Sequence, residues 1–312
     1  MSAPDEFEQI ARLYRPLTRG AAGAFGLLDD AAVVSQRPGC DLVVTKDAIV
    51  EGVHFPPATP LDLVARKLVR VNLSDLAAKG AEPDAYFLAV AWSDACAWKD
   101  RQAFAEGLRQ DGEAYGLTLL GGDTASTPGP LTLSLTLLGW VPTGRMIRRS
   151  GALPGDLLMV SGTIGDGTLG LAAEQGEVSD PDGFLTARFR LPNPRLDLRD
   201  ALRGQAHAAC DVSDGLIADA RHIAEASGTG LHINLDRLPM SNSAGRWLSE
   251  QSDLVAGRLR LATGGDDYEV VCAAAAPIRG FTVLGEFTAD PAVVVTAGGV
   301  QVDPGPGGWR HR

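Results

Sequence analysis

DLVVTKDAIVEGVHF, residues 41–55, is the stretch that decides the fold class of this chain. It opens as an apolar β run, Leu42–Val44, and changes at once to Thr45-Lys46-Asp47. A second apolar run follows and ends at Glu51, with His54 just beyond it. Open α/β sheets bind their ligands at the carboxyl ends of strands, so the acids and the histidine are typical of a site edge. A strand followed by a solvated loop is the alternative reading of this stretch alone.

The composition predicts a globular protein with a full core. The chain has 312 residues, a length that suggests two domains, with 45% hydrophobic and 21% charged residues. No apolar run approaches the roughly 18 residues of a membrane helix. The start, MSAPDEFEQIARLYRP, lacks the basic residues and apolar centre of a secretory signal. We therefore expect a cytoplasmic protein that is not bound to a membrane.

Charge and cysteine usage exclude further classes of protein. The formal net charge of −11 and the lack of a basic patch argue against a nucleic-acid partner. A phosphate substrate would be repelled as well, unless metal cations mediate the contact. Cys40, Cys96, Cys210 and Cys272 are widely spaced and form no CxxC pair, which favours reduced thiols over disulfides or a zinc site.

The first half of the chain predicts the order β-β-α-β-α-β-β. It begins with a short amphipathic helix over residues 5–15, followed by a strand at 31–34 that Asp29 and Asp30 precede. A helix with Thr59 as N-cap and Pro60 at N1 should run to Gly80, and a second helix should cover 99–115. The remaining strands are expected at 42–47, 85–92, 117–120 and 131–141, the last showing a clear period of two.

A linker is expected at residues 144–155, which divides the chain into domains 1–144 and 145–312. The second half predicts strands at 156–161, 208–211, 231–235 and 268–274, and helices after the glycine-rich turn 162–170, after PNPR and at 216–227. Residues 261–267 are predicted as a loop. The fold class is therefore α/β with mixed sheets (α+β), in two domains.

Six aspartates stand out by their position. Five lie at predicted strand ends or in the turns beside them, and the sixth lies on a helix: Asp30, Asp47, Asp123, Asp211, Asp214 and Asp75. Singly, each has an ordinary role, such as a helix cap or an i,i+4 pair of Asp75 with Lys79. If they converge, each like-charged pair at 4 Å costs about 4 kcal/mol at an effective dielectric of 20. Bound Mg²⁺ would remove that cost, and all-oxygen ligation suits it better than zinc.

The glycine motifs give weaker signals. No GxxxxGK[ST] occurs, which argues against a P-loop. Gly165–Gly170 matches GxGxxG after a strand, but no strand-end acid follows about twenty residues later, as a dinucleotide site would need. A turn that lets a helix N-terminus approach the sheet or a phosphate is favoured instead.

Seven motifs in register resemble the thiamine-monophosphate kinase family. They are GLLDDAAVV, TKDAIVEGVHF, VNLSDLAAKGAEP, LLGGDT, RRSGALPGD, DVSDGL and GGDDYE, spread over residues from about 26 to 269. The resemblance implies ATP-dependent phosphorylation of thiamine monophosphate to thiamine diphosphate. It also implies the two-domain fold of the aminoimidazole-ribonucleotide synthetase superfamily. In that fold the first domain binds ATP and Mg²⁺ and pairs its sheet with that of a second copy in a homodimer, and the second domain completes the nucleotide and substrate site.

The resemblance assigns three sets of site residues. Those at magnesium positions are Asp30, Thr45, Asp47, Asp75, Asp123, Asp211 and Asp214. Those at ATP-contacting positions are Gly121, Gly122, Arg149 and Ser213. Those around the thiamine phosphate are His54, Asp266 and Trp309. An aromatic face and an acid suit a cationic thiazolium, and an arginine can fork onto a phosphate. Transfer would be direct and in line, because an ionised phosphate oxygen needs no general base.

Three positions depart from the family pattern. Leu28 replaces a glycine, Lys46 a hydroxyl residue and Asp266 a glutamate. Lys46 either points inward and replaces one cation, or points outward and leaves the metals alone. Strand alternation favours the outward direction, because Asp47 faces the site.

Two alternatives stay open. One is another ATP-using enzyme of the superfamily, such as a selenophosphate or an aminoimidazole-ribonucleotide synthetase. The position of the first cysteine, Cys40, at a strand edge rather than in a glycine-rich N-terminal segment argues against a selenophosphate synthetase. The other is a non-catalytic, metal-stabilised protein that binds a thiamine compound.

Overall fold

The computed structural model describes residues 5–309, which form two compact units. One unit comprises the chain up to Leu76 together with Ala81–Gly144, and the other comprises Ala77–Gly80 and the chain from Arg145 onward. No helix among the described residues is both long and apolar enough to cross a membrane.

The first unit is built on a four-stranded mixed sheet. Its helical elements are α1 (Glu6–Gln9), a π-helical turn (Ile10–Tyr14), two 3₁₀ segments (Arg15–Thr18 and Ala22–Leu27), α2 (Leu61–Ala78) and α3 (Trp98–Tyr115). Its strands are β1 (Cys40–Val50), β2 (Glu82–Ser93), β3 (Thr118–Thr127) and β4 (Thr132–Pro142). The order across the sheet is β1-β4-β2-β3, with only the β2–β3 pair parallel. A parallel pair needs a crossover, which α3 supplies.

Both faces of this sheet are at least partly covered within the unit. On one face lie the fully buried β4 leucines Leu133, Leu135 and Leu137. On the other face, the segment 21–34 packs on Ala85 and Leu138. The alternating apolar side chains of β4 are thus already buried within the single chain.

The second unit holds a seven-stranded sheet of order β11-β10-β7-β9-β5-β8-β6. Its strands are β5 (Leu157–Ser161), β6 (Ala208–Asp211), β7 (Gly230–Asn234), β8 (Val270–Ala274), β9 (Phe281–Thr288), β10 (Val293–Ala297) and β11 (Val300–Val302). Its helices are α4 (Asp166–Glu174), α5 (Phe184–Arg190), α6 (Arg199–Gln205), α7 (Leu216–Ser227), α8 (Asn242–Ser249) and α9 (Leu254–Thr263), with short 3₁₀ turns at Leu196–Leu198 and Leu235–Arg237. Side chains of β5 alternate between two cores: Leu158 and Val160 enter one, and Met159 enters the other.

Five local predictions from the sequence are wrong. Residues 31–34 form no strand; Val33 donates to the Gly23 carbonyl at 2.9 Å, and the segment covers the sheet instead. The first half therefore runs β-α-β-α-β-β after the N-terminal helical turns. The Thr59 hydroxyl is buried without a hydrogen-bond partner, so it does not cap α2, whose first turn bonds to the Pro60 carbonyl.

The other three errors concern strand and helix ends. β1 does not end at Asp47 but continues to Val50, so Asp47 lies within the strand. β3 does not stop before Gly121 but continues through Asp123, because a bulge beside Tyr86 and Phe87 lets the strand resume its pairing with β2. Gly122 lies so close to β2 that a Cβ there would be 1.8 Å from the Leu88 carbonyl oxygen. Residues 261–263, expected in a loop, form the last turn of α9.

Candidate active site

Polar contacts between α2 and β1 form the first part of the candidate site. The Thr45 hydroxyl donates a short hydrogen bond to the Asp75 carboxylate. The Asp47 backbone N–H donates to Asn72 Oδ1 at 3.2 Å, and Asn72 Nδ2 donates to the Leu68 carbonyl at 2.9 Å, which fixes the orientation of the amide. Three predicted metal-site residues are therefore brought together, and Asn72 joins them.

Asn72 was missed in the sequence, although a signal for it exists. It lies three residues before Asp75 on α2, a spacing that places both side chains on one helix face. The loop after β1 is anchored to the same helix. Buried Lys67 donates to the His54 carbonyl at 3.3 Å, and His54 Nδ1 accepts the Val50 N–H at 3.0 Å.

Asp47 and Asp75 form a carboxylate pair that suits a divalent cation. Burial, with the nearby charge of Asp75, raises the pKa of Asp47 to about 7. Two half-buried carboxylates that repel each other are a donor set for Mg²⁺, which commonly binds through one or two carboxylates, several waters and substrate phosphates. The residues present therefore fit a magnesium ion at this position.

Lys46 is exposed and lies on the opposite face of β1 from Thr45 and Asp47. Its direct cross-strand neighbour is Thr136. Lys46 therefore points away from Asp47, as strand alternation predicts.

A second group of predicted residues lines a cavity of about 490 Å³ in the first unit. Its walls include Asp29, Asp30 and the β3 residues Gly121–Asp123, with Leu28 at the same wall. Cross-strand pairing aligns Asp123 with Ala89, Ser134 and Ala48, which puts it on the sheet face of Lys46 rather than that of Asp47. Among residues 5–309, no three His, Cys, Asp or Glu side chains are grouped in a way that could hold a metal ion.

In the second unit, five predicted residues lie at or beside the loop after β6. Asp211 ends β6 and is buried. The Ser213 carbonyl accepts the Asp266 N–H, and the Asp214 carbonyl accepts the Trp309 N–H, both at 2.9 Å. Asp266 adopts a left-handed φ of 66°, which is uncommon for a residue with a side chain.

A cleft of about 430 Å³ opens beside this loop. Its walls include Asp214, His222 and Trp309, and the Trp309 side chain is 61% exposed. Arg149 is also exposed, and its positive charge acts against the rise that the nearby Asp219 carboxylate causes in the pKa of His222. An open aromatic face, acids and an arginine are groups that suit an aromatic cation bearing a phosphate.

The GxGxxG turn does not offer its backbone to a dinucleotide. The buried Asp267 carboxylate accepts the Gly165 N–H at 2.8 Å and the Gly167 N–H at 2.9 Å, so a side chain of the protein already occupies the N-terminus of α4. A Cβ on Gly167 would be 2.3 Å from the Asp266 carbonyl oxygen, and one on Gly170 would be 2.2 Å from that of Leu185. These glycines serve close packing.

A buried ion cluster lies beside Asp267, at Glu269. Glu269 is fully buried and pairs with Arg188 and Arg195, while Ser161 donates to it at 2.6 Å. The sequence shows Glu269 in GGDDYE and Arg195 in PNPR but gives no sign that they meet, because they are far apart in the chain.

Comparisons with known proteins agree with these features. The family model for the AIR synthase related protein N-terminal domain matches residues 28–141, and the model for the C-terminal domain matches residues 154–298. Thiamine-monophosphate kinase of Caulobacter vibrioides is 55% identical over 99% of this chain and 91% of its own length. That of Escherichia coli K12 is 38% identical over 91% of both chains.

Solved structures give the same result. The crystal structure of thiamine-monophosphate kinase from Stenotrophomonas maltophilia K279a is 36% identical, covers 95% of this chain and 98% of its own, and has a TM-score of 0.82. AaThiL complexed with AMPPCP and TMP is 28% identical, covers 93% of this chain and 97% of its own, and has a TM-score of 0.79. Given the near-full-length identity, both domain models and the shared fold, this chain belongs to the thiamine-monophosphate kinase family of AIR synthase related proteins.

Proposed function

We propose that this protein transfers the γ-phosphate of ATP to the phosphate of thiamine monophosphate, forming thiamine diphosphate and ADP. The observation that carries the proposal is the similarity to the Caulobacter vibrioides thiamine-monophosphate kinase, at 55% identity over 99% of this chain. The AaThiL structure, complexed with AMPPCP and TMP, supports the choice of both substrates.

Magnesium is proposed as the metal, held by the aspartates and Thr45. The support is the half-buried pair of Asp47 and Asp75, whose repulsion a cation would relieve. When bound, Mg²⁺ neutralises phosphate charge and aligns the reacting oxygens. The proposed ligands, shared among several Mg²⁺ ions, are Asp30, Thr45, Asp47, Asp75, Asp123, Asp211 and Asp214.

The other site residues bind and orient the two substrates. Gly121 and Gly122 let a nucleotide approach the backbone of β3, and Arg149 and Ser213 contact phosphate oxygens. His54, Asp266 and Trp309 hold the thiamine compound; the exposed indole supplies a face for its cationic ring. Because the acceptor is an already ionised phosphate oxygen, no residue is required as a general base, and catalysis rests on alignment for in-line transfer.

We also propose a cytoplasmic location and no nucleic-acid partner. The four cysteines are free, and Cys210 and Cys272 are buried, in keeping with a reducing compartment. The net charge of −11 disfavours binding to nucleic acid.

An omission assay tests the proposed activity. ADP release should require thiamine monophosphate, ATP and Mg²⁺ together, and thiamine should not replace its monophosphate. A non-catalytic binding protein would instead bind thiamine monophosphate without any ADP release. Absence of ADP release under all conditions, from protein that is folded and binds nucleotide, would refute the proposal.

A further inference from the structure

One buried carboxylate holds the loop that carries two proposed site residues. Asp219, on the first turns of α7, is 1% exposed. Its Oδ2 accepts the backbone N–H groups of Ser213 at 3.0 Å, Asp214 at 3.1 Å and Gly215 at 3.2 Å. Hydrogen bonds from three N–H donors to one ionised carboxylate oxygen are charge-assisted and therefore strong. The carboxylate also lies near the N-terminus of α7, where the helix dipole favours negative charge.

The carbonyl side of the same loop anchors the rest of the site. The carbonyls of Val212, Ser213 and Asp214 accept N–H groups from Tyr268, Asp266 and Trp309, at 2.8, 2.9 and 2.9 Å respectively. Asp219 thus fixes the N–H groups of a segment whose carbonyls bind the loop before β8 and the C-terminal tail. A displacement of this loop would move all of these residues together.

The neighbouring segments leave the loop little room to shift. A Cβ at Gly265 would be 2.3 Å from the Ser213 carbonyl oxygen, and one at Gly308 would be 2.7 Å from that of Asp214. Glycine at both positions lets these segments pack against the carbonyl oxygens of the loop, and this packing requires the present backbone conformation of residues 213–214. Asp219 is the side chain that holds this conformation through its hydrogen bonds to the loop N–H groups.

We propose that Asp219 is a positioning residue for the phosphoryl-transfer site: through three backbone N–H groups it sets the geometry of Ser213 and Asp214. This proposal rests on the proposed function. Asp219 does not itself contact ligands, because it is buried and its Oδ2 is filled by the loop. Its other oxygen, Oδ1, makes none of the bonds to the loop N–H groups and lies 3.7 Å from His222 Nδ1.

Asp219→Asn tests the proposal, since it keeps the shape of the side chain but removes its charge. We expect the Mg²⁺ concentration for half-maximal activity to rise about tenfold, at the lower end of typical effects of residues that orient ligands. The rate at saturating Mg²⁺ should fall much less. Calorimetric binding of the Mg²⁺ complex of AMPPCP, which involves no turnover, should weaken by a similar factor. Amide exchange at Ser213–Gly215 should accelerate in the metal-free protein.

Asp156→Asn is the matched control. Asp156 is 3% exposed, and its Oδ2 accepts the Leu153 N–H at 2.8 Å, so this variant loses an equally buried charge in the same unit, away from the loop. It should lower the melting temperature while leaving the Mg²⁺ requirement unchanged. A purely structural role of Asp219 would give the same pattern in both variants and overturn the proposal.

Two further outcomes are decisive. If Asp219→Asn melts below the assay temperature, Asp219→Glu, which keeps the charge but shifts it by one methylene, takes its place with the same expected tenfold shift. Unchanged affinity for the Mg²⁺ complex of AMPPCP in a folded variant would contradict the proposal. Because calorimetry and exchange need no turnover, failure of the proposed kinase activity would be seen separately, as nucleotide binding by the wild-type protein without ADP release.

Discussion

Lys46 and Asp47 are neighbours in the chain but lie on opposite faces of β1. The exposed lysine faces away from the pair formed by Asp47 and Asp75, whose carboxylates repel each other. Strand alternation alone predicts this difference between adjacent residues, because the side-chain period of a strand is two. The contact of Asp47 with Asn72 could not be predicted so directly, since it depends on how α2 lies along β1.

Lys46→Thr should therefore leave the Mg²⁺ dependence nearly unchanged. The substituted side chain lies on the face away from the Asp47 pair. Asp123 shares the face of Lys46, but three strand spacings of about 4.8 Å each separate β3 from β1. The concentration of Mg²⁺ for half-maximal rate should therefore stay within about twofold of wild type, a difference of roughly 0.4 kcal/mol. Asp47→Asn is the contrast and should reduce turnover strongly without unfolding the protein. A large fall in the Mg²⁺ requirement of Lys46→Thr would show that the lysine acts as an internal cation.

At the scale of elements, the long periodic segments were predictable and the irregular ones were not. The sequence locates α2, α3, α7 and β4 to within a few residues, because their period and their glycine stops are strong signals. It misses α5, α8 and α9, and it places a strand at 31–34. The residues there are apolar enough for a strand, but they cover the sheet rather than join it.

The N-terminus of α4 provides a test at this scale. Gly167→Ala should destabilise the protein by about 2 kcal/mol or more, because its Cβ would meet the Asp266 and Gly265 carbonyl oxygens at 2.3 and 2.8 Å. Gly245→Ala on α8 is the matched control. Nothing lies within 4 Å of its Cβ, so it should stabilise by about 0.4–1 kcal/mol. Urea unfolding measures both; equal effects would show that α4 can move away from the 265–266 backbone.

At the scale of the whole molecule, we propose a homodimer formed by the first unit. The alternating apolar residues of β4 give no support for a dimer, because Leu133, Leu135 and Leu137 are buried within the chain. The remaining support is the resemblance and the exposure of Leu42 and Val44 on β1, at 41% and 55%.

Sedimentation at micromolar concentration should give twice the chain mass of 32.7 kDa. Val44→Lys should shift the monomer–dimer equilibrium toward the monomer, because it replaces one of the two exposed apolar side chains of β1 by a charged one. Val300→Lys, at an equally exposed valine of the second unit, should not. A wild-type monomer, or equal dissociation by both variants, would contradict this interface.

The measurement that tests the central claim most directly follows the γ-phosphate itself. ATP labelled at the γ-phosphorus is incubated with thiamine monophosphate and Mg²⁺, and the products are separated. The account predicts one labelled thiamine diphosphate for each ADP, with the label on its terminal phosphate and with inversion at a chiral γ-phosphorus, because transfer is direct and in line. Label released only as inorganic phosphate, or retention of configuration, would contradict direct transfer to thiamine monophosphate.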